Sequence, residues 1–257
     1  MTTARVHDIE AAQRIEGCTF TGEFRGVLTA VAEGRVDVED AVAAEIRAAQ
    51  DADAALDLPG VPRWRRLFGT PAYQAPSHRV LRNRPGLTSP TLLNDLTGRL
   101  CALRMASSAG NPSDVGDAAG VLGVHGALFG DIFGWAGHLR FVNLSSQGIA
   151  FAPVPAIDHH LALAVDDLRI CREHQAAGTP VPLEPLCRFL TEYLWCHPFR
   201  DGNGRTAMAV LMSMTAPGAL STVGPAEWYA ASAQSLQVAG FPDPEPWAPI
   251  LRRMLDH

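Results

Sequence analysis

The sequence predicts a mainly α fold with one β-hairpin, preceded by a small three-helix module. Three observations lead there. Apolar residues recur at helical spacing through most of the 257-residue chain, one stretch alternates instead, and a break rich in Pro and Gly sets the beginning apart. In order, "TARVHDIEAAQRIEG" predicts a first helix that stops at Gly17, and "GEFRGVLTAVAEG" a second that Gly34 closes. "DVEDAVAAEIRAAQ" predicts a third, with Val38, Ala41, Val42, Glu45 and Ile46 at helical spacing and Asp37 as N-cap. Three short helices bury little alone, so this module, residues 1–52, is expected to dock on the rest. Residues 53–76 read as a linker, in which the "RWRR" cluster at 63–66 is a solvated charge.

Residues 77–257 read as one domain, with helices at about 88–105, 115–132, 157–176, 183–195, 204–215 and 225–236. "MASSAGNP" at 105–112 reads as a loop. In "HLRFVNLSSQGIAFAP" apolar and polar residues alternate on both sides of "SSQG", the pattern of a hairpin.

Composition narrows the function. A net charge of −6 argues against a general nucleic-acid binder. All 21 basic residues are arginine, which removes Lys from every catalytic role. The five cysteines form no C-x-x-C and have no His partner at metal spacing, which argues against zinc and suits a reducing cytosol. No apolar leader opens the chain and no run approaches membrane-spanning length, so a soluble, cytoplasmic protein is expected.

The chemistry concentrates in "CHPFRDGNGRTAMAVL", residues 196–211. One helix ends at His197 and another opens at "GRTAMAVLMSM", so "DGNG" precedes a helix N-terminus, where unpaired N–H groups and the helix dipole favour an anion. Gly202 and Gly204 let the backbone present N–H groups to phosphate oxygens, Asn203 adds a side-chain donor, and Arg205 a charged fork. Asp201 is the only carboxylate in the loop and suits Mg²⁺ held beside a polyphosphate. His197 is then the group able to take a proton near neutral pH. Base, metal ligand and anion cradle together suit attack by a hydroxyl on a nucleotide phosphate. His125, His159 and His160 read as surface or packing residues, and Trp135 and Arg140 as supports of the hairpin.

"HPFRDGNGR" resembles the signature loop of Fic-domain proteins, H-x-F-x-D/E-G-N-G-R followed by two free positions and a second Arg. "VLRNRPGLTS" is similar to the family's N-terminal segment, and "HGALFGDIFGWAGHLR" to its L-F-x-D-I/V-Y-x-W-A-G-x-x-R stretch. The resemblance implies the Fic helical fold and a protein adenylyltransferase, which moves AMP from Mg·ATP to a Tyr, Thr or Ser hydroxyl of a target protein. It makes His197 the base, Asp201 the Mg²⁺ ligand, Gly202, Asn203 and Gly204 the α-phosphate cradle, and Arg205 a further phosphate contact. It also makes "VNLSSQGIAFAP" a flap, whose Ser146, Gln147, Gly148, Ile149, Ala150 and Phe151 pair with the target chain as an added strand. The N-terminal module resembles the helical antitoxins that partner some Fic toxins. Their inhibitory S/T-x-x-x-E-G/N motif is matched by Glu16 and Gly17 and implies autoinhibition in cis.

Two positions depart from these patterns. Ala12 stands where the inhibitory motif has Ser or Thr, and Met208 where the second Arg grips the γ-phosphate and pairs with the inhibitory Glu. Both halves of the usual lock are altered. The alternatives to AMP transfer are therefore a degenerate domain that binds nucleotide or protein without catalysis, or transfer of another nucleotide monophosphate.

Overall fold

A computed structural model describes residues 3–56, 72–75, 80–107, 115–146, 148–237 and 242–257. Most of the linker with its RWRR cluster, part of the 105–112 loop, and Gln147 lie outside the described residues.

The chain opens with α1 Thr3–Ile15, α2 Gly22–Ala32 and α3 Val38–Ala54, each bounded by local chemistry. Gly17 and Gly34 turn the chain at φ +80° and +70°, where glycine meets no Cβ penalty. The Thr21 hydroxyl accepts from Phe24 N (3.2 Å), and Asp37 caps α3 by accepting from Glu39 N and Asp40 N (2.8 and 3.3 Å). The far end of α3 sets the start of the next helix. Asp53 accepts from Thr88 N, Thr88 Oγ1 and Ser89 N (2.9, 2.9 and 2.8 Å), and Ser89 caps α4 Pro90–Ala106.

After it come α5 Ala118–Phe129, α6 Ile157–Ala176, α7 Leu183–Cys196, α8 Asn203–Met212 and α9 Pro225–Ser235. A last helix, α10 Ala248–Leu255, lies beyond the reach of the predicted set. From Arg205 to Met212 every residue of α8 is buried, as expected of a helix enclosed on all sides. Both α1 and α5 pack on it, while α6 runs against α7.

Val6, Ile9, Ala12, Phe24, Leu28 and Val42 of the first three helices belong to the same apolar cluster as Leu100, Phe129, Met208 and Val210. The N-terminal helices are thus built into the main core. Polar joints fix their register. Arg104 of α4 binds Asp131 through two bonds (2.7 and 2.9 Å) and reaches Glu39 of α3 (2.6 Å). Asp8 of α1 is fully buried and accepts from Gly218 N and Ser221 N (2.7 and 2.9 Å), across more than two hundred residues of chain.

The hairpin is shorter than the alternation suggests. Strands β1 Ser145–Ser146 and β2 Ile149–Ala150 pair antiparallel, with Ser145 opposite Ala150 and Ser146 opposite Ile149. The flanking residues alternate for another reason: they pair with the end of α7 and the loop after it. Arg140 N donates to Pro198 O (2.9 Å) and Ala152 N to Trp195 O (3.0 Å).

Replacing Asp8 by Ala would leave the buried Gly218 N–H and the partly buried Ser221 N–H without their acceptor. We expect Asp8→Ala to lower unfolding free energy by about 1.5–3 kcal/mol, read from the urea midpoint at unchanged slope. A loss within the range of surface substitutions, about 0.5 kcal/mol, would contradict this anchoring.

Candidate active site

Helix α7 ends where His197 takes the left-handed conformation, φ +47° and ψ 59°, uncommon for a residue with a Cβ. Its Nδ1 lies 3.2 Å from Leu194 O. A carbonyl only accepts, so Nδ1 carries the proton and Nε2 is left as the base. The ring stacks on Phe151, with centroids 3.8 Å apart and planes 12° off parallel. Burial lowers its pKa to about 4; the Leu194 hydrogen bond opposes this, and repulsion from Arg140 and Arg200 adds to it. The imidazole is neutral at pH 7.

The loop that follows is held from inside. Asn203 Oδ1 accepts from Phe199 N and its Nδ2 donates to Phe199 O, both at 2.9 Å. Closing the loop takes Oδ1 and one of the two N–H bonds of Nδ2; the second Nδ2–H and the backbone N–H are the donors these bonds leave unused. His125, read from sequence as a packing residue, does more. Its Nδ1 accepts from Gly137 N (2.8 Å), so Nε2 carries the proton and donates to Asp201 O (3.0 Å). Its ring stacks on Phe199 at 3.7 Å, and burial lowers its pKa to about 4. No residue-type pattern in the sequence signals this role.

Gly202, at φ +81°, is the N-cap of α8, and a Cβ there would fall 2.5 Å from the Phe129 ring. Thr206 N is the first to bond within the helix, to Gly202 O (3.0 Å). The N–H groups of Asn203, Gly204 and Arg205 therefore stand at the helix N-terminus without an intrahelical acceptor. The Glu16 carboxylate has come to this spot. Its Oε1 lies 2.1 Å from where a Cβ on Gly204 would sit, so only glycine leaves it room. Burial raises the Glu16 pKa, while Arg205 opposes the rise and Asp201 adds to it. Gly17 is exposed and turns the chain away directly after Glu16.

Arg205 departs from its expected place. It is buried and does not line the cleft; its Nη2 donates to Cys18 Sγ (3.4 Å) and its Nε has no hydrogen-bond partner. The chain just after α1 covers it. Nothing in the sequence marks Cys18 for that position. Ala12 and Met208 are both fully buried in the apolar core, and Met208 does not line the cleft.

These parts surround a cleft of ≈ 390 Å³. His197, Asp201, Gly202, Asn203, Gly204 and Glu16 form its polar floor, and Ser146, Ile149 and Phe151 of the hairpin one wall. Trp228, Tyr229, Ser232, Ala233 and Leu236, on and just after α9, form the other wall, which the motif reading missed. Gly148 and Ala150 are exposed outside the cleft. Asp201 Oδ1 accepts from Gly202 N (2.8 Å). As the one carboxylate of the loop, Asp201 beside an anion cradle fits Mg²⁺, which binds one or two carboxylates together with phosphate oxygens. Among the described residues no group of three or more His, Cys, Asp or Glu could cage a metal by itself. Among them, too, no helix is long and apolar enough to cross a membrane.

Residues 116–214 match the model of the Fic/DOC family. The chain is 30% identical over 138 residues to the "Probable protein adenylyltransferase Fic" of Salmonella typhimurium strain LT2, covering 53% of this chain and 68% of that protein. Among solved structures it resembles the N-terminal Fic domain of a Bartonella effector protein from Bartonella sp. AR 15-3, with a TM-score of 0.60 at 19% identity. That match covers 71% of this chain and 90% of the other. BepC from Bartonella tribocorum, solved with bound AMPPNP, matches with a TM-score of 0.54 at 20% identity, over 71% of this chain and 95% of that one.

The seclusion of His197 has a direct readout. In an NMR titration its imidazole should change charge near pH 4, more than two units below an unperturbed histidine. A midpoint near 6.5 would mean that water reaches the ring freely.

Proposed function

The chain belongs to the Fic/DOC family, and we propose that it is a protein adenylyltransferase held in check by its own Glu16. In this reading the nucleotide base lies against the Tyr229 wall, and the phosphates take the N–H groups at the start of α8. The extended target chain adds to the flap beside Ile149. His197 Nε2 removes the proton of a Tyr, Thr or Ser hydroxyl. The hydroxyl oxygen attacks the α-phosphorus of ATP, the bond to the bridging oxygen breaks, and pyrophosphate leaves. Asp201 would hold Mg²⁺, which when bound neutralises charge on the phosphate oxygens. The helix N-terminus does the same for the α-phosphate, and such preorganised dipoles are a large part of catalysis in phosphoryl transfer.

The observation that carries the inhibition is the carboxylate at Gly204. An anion from the chain stands where an anion from the substrate must go. Release is local in this reading, because α1 is anchored in the core through Ile9 and Asp8 while Glu16 lies just past its last turn. Withdrawal of residues 16–18 would vacate the cradle and uncover Arg205 together.

Met208 favours a second reading, in which the nucleotide monophosphate moved comes from another donor, one without a γ-phosphate, since no second arginine waits for that group. One experiment separates the readings. The wild type, Glu16→Gly and Glu16→Gly/His197→Ala are incubated with ATP, GTP, UTP or CTP, or with the corresponding nucleoside diphosphates, labelled at the α-phosphate, with a cell extract as source of targets. We expect protein-bound label from ATP. Glu16→Gly should raise it roughly two- to thirtyfold, the span for one carboxylate at a helix N-terminus. Loss of His197 should then lower it by roughly 10²–10⁴. Label from another nucleotide would establish the second reading. Nucleotide binding without label from any of them would leave a binding module.

Asp201→Ala in the Glu16→Gly background should raise the Mg²⁺ concentration needed for half-maximal transfer. An unchanged metal dependence would reject its assignment as ligand.

A further inference from the structure

We propose that Arg140 is the positioning residue of this site: one buried guanidinium holds the backbone of His197 and both rails of the flap, so that base and target strand are set as a unit. The proposal rests on the reading of His197 as base.

Arg140 is fully buried. Its Nε donates to His197 O (2.7 Å), and its Nη2 to Cys196 O (3.1 Å) and Ala152 O (2.5 Å). Nη1 donates to Val142 O (2.7 Å). Four carbonyls from three segments therefore converge on one cation. Two belong to the end of α7, where carbonyls lack intrahelical donors and carry partial negative charge. The other two bracket the hairpin, at 142 before it and 152 after it. Backbone pairing completes the frame, with Arg140 N on Pro198 O and Ala152 N on Trp195 O. Residues 195–198 are thus clasped between the two rails.

Only arginine fits this task. Its planar fork aims five N–H bonds in fixed directions, whereas a lysine ammonium is one point that cannot span three segments. The left-handed turn at His197 takes its carbonyl out of the helix, and the Arg140 Nε–H is the donor that meets it. Misplacing a reacting group by about 1 Å costs roughly a hundredfold in rate. The same cation faces the imidazole. Arg200 and Asp201 from the loop, Glu16 from the end of α1 and Tyr229 from α9 are the other ionisable groups around it, and the flap brings only the uncharged Phe151. Removing Arg140 removes one of two positive neighbours that disfavour the imidazolium.

The test uses the full chain carrying Arg140→Met or Arg140→Lys, with folding checked by circular dichroism and thermal melting. In Arg140→Met, kcat for transfer should fall roughly a hundredfold at unchanged nucleotide KM. The His197 midpoint, read by NMR, should move up. In Arg140→Lys the retained charge should keep that midpoint near its wild-type value while kcat still falls. A folded Arg140→Met protein with wild-type kcat, or with an unmoved His197 midpoint, overturns the proposal. The NMR readout needs no turnover, so absence of transferase activity would sink the functional reading without deciding this one. If neither variant folds, the wild type decides. The N–H groups of Arg140 and Ala152 should exchange with solvent through one shared opening, and two separate opening rates would overturn the proposal.

Discussion

Two helix ends meet at residues 196–204, and their unpaired backbone groups ask for opposite charges. The C-terminus of α7 presents carbonyls and the N-terminus of α8 presents N–H groups, only a short loop apart. Arg140 answers the first from within the fold. The second is left to an anion. The contacts around the loop keep the two ends in place. Asn203 ties the loop to itself, His125 holds the Asp201 carbonyl, and Phe129 leaves Gly202 no room for a side chain.

The anion demand explains why an N-terminal helix matters to a site at the far end of the chain. The Glu16 carboxylate lies against Gly204 in the first turn of α8, and the cost of burying it there appears in its raised pKa. The same turn places Cys18 over Arg205. A single local feature thus lies against both the first turn of α8 and the nearest cation. The helix that carries it is fixed by apolar burial of Val6, Ile9 and Ile15 and by the Asp8 carboxylate, so the closing group and its anchor are separate parts.

The two departures from the family pattern, Ala12 and Met208, are consistent with each other once both are seen in the core. A hydroxyl at 12 or a guanidinium at 208 would need buried partners, and an apolar pair needs none. In the proposed inhibition, what would hold is one carboxylate beside one set of backbone dipoles, with Arg205 as its neighbouring cation. That is a weaker hold than a charge-assisted pair, and it is the physical reason for expecting modest inhibition.

By itself the sequence determined what depends on neighbours in the chain. The helix spacing, the Asp37 cap, the turns at Gly17 and Gly34, and the loop between two helix ends were all legible, because each is decided within one or two turns of backbone. The identity of the family was legible for the same reason: its signature is contiguous. Tertiary structure alone decided what each polar group faces. Asn203 read as a phosphate donor, and packing around Phe199 also made it the clasp of its own loop. Arg205 could have lined the cleft, and the chain after α1 covered it instead. His125 read as a surface or packing residue and Arg140 as a support of the hairpin, and the two hold the two sides of the 197–204 loop. Those roles join residues dozens of positions apart, Arg140 with His197 and His125 with Asp201, and hydrogen-bond partners at such separation are fixed only when the core between them is packed.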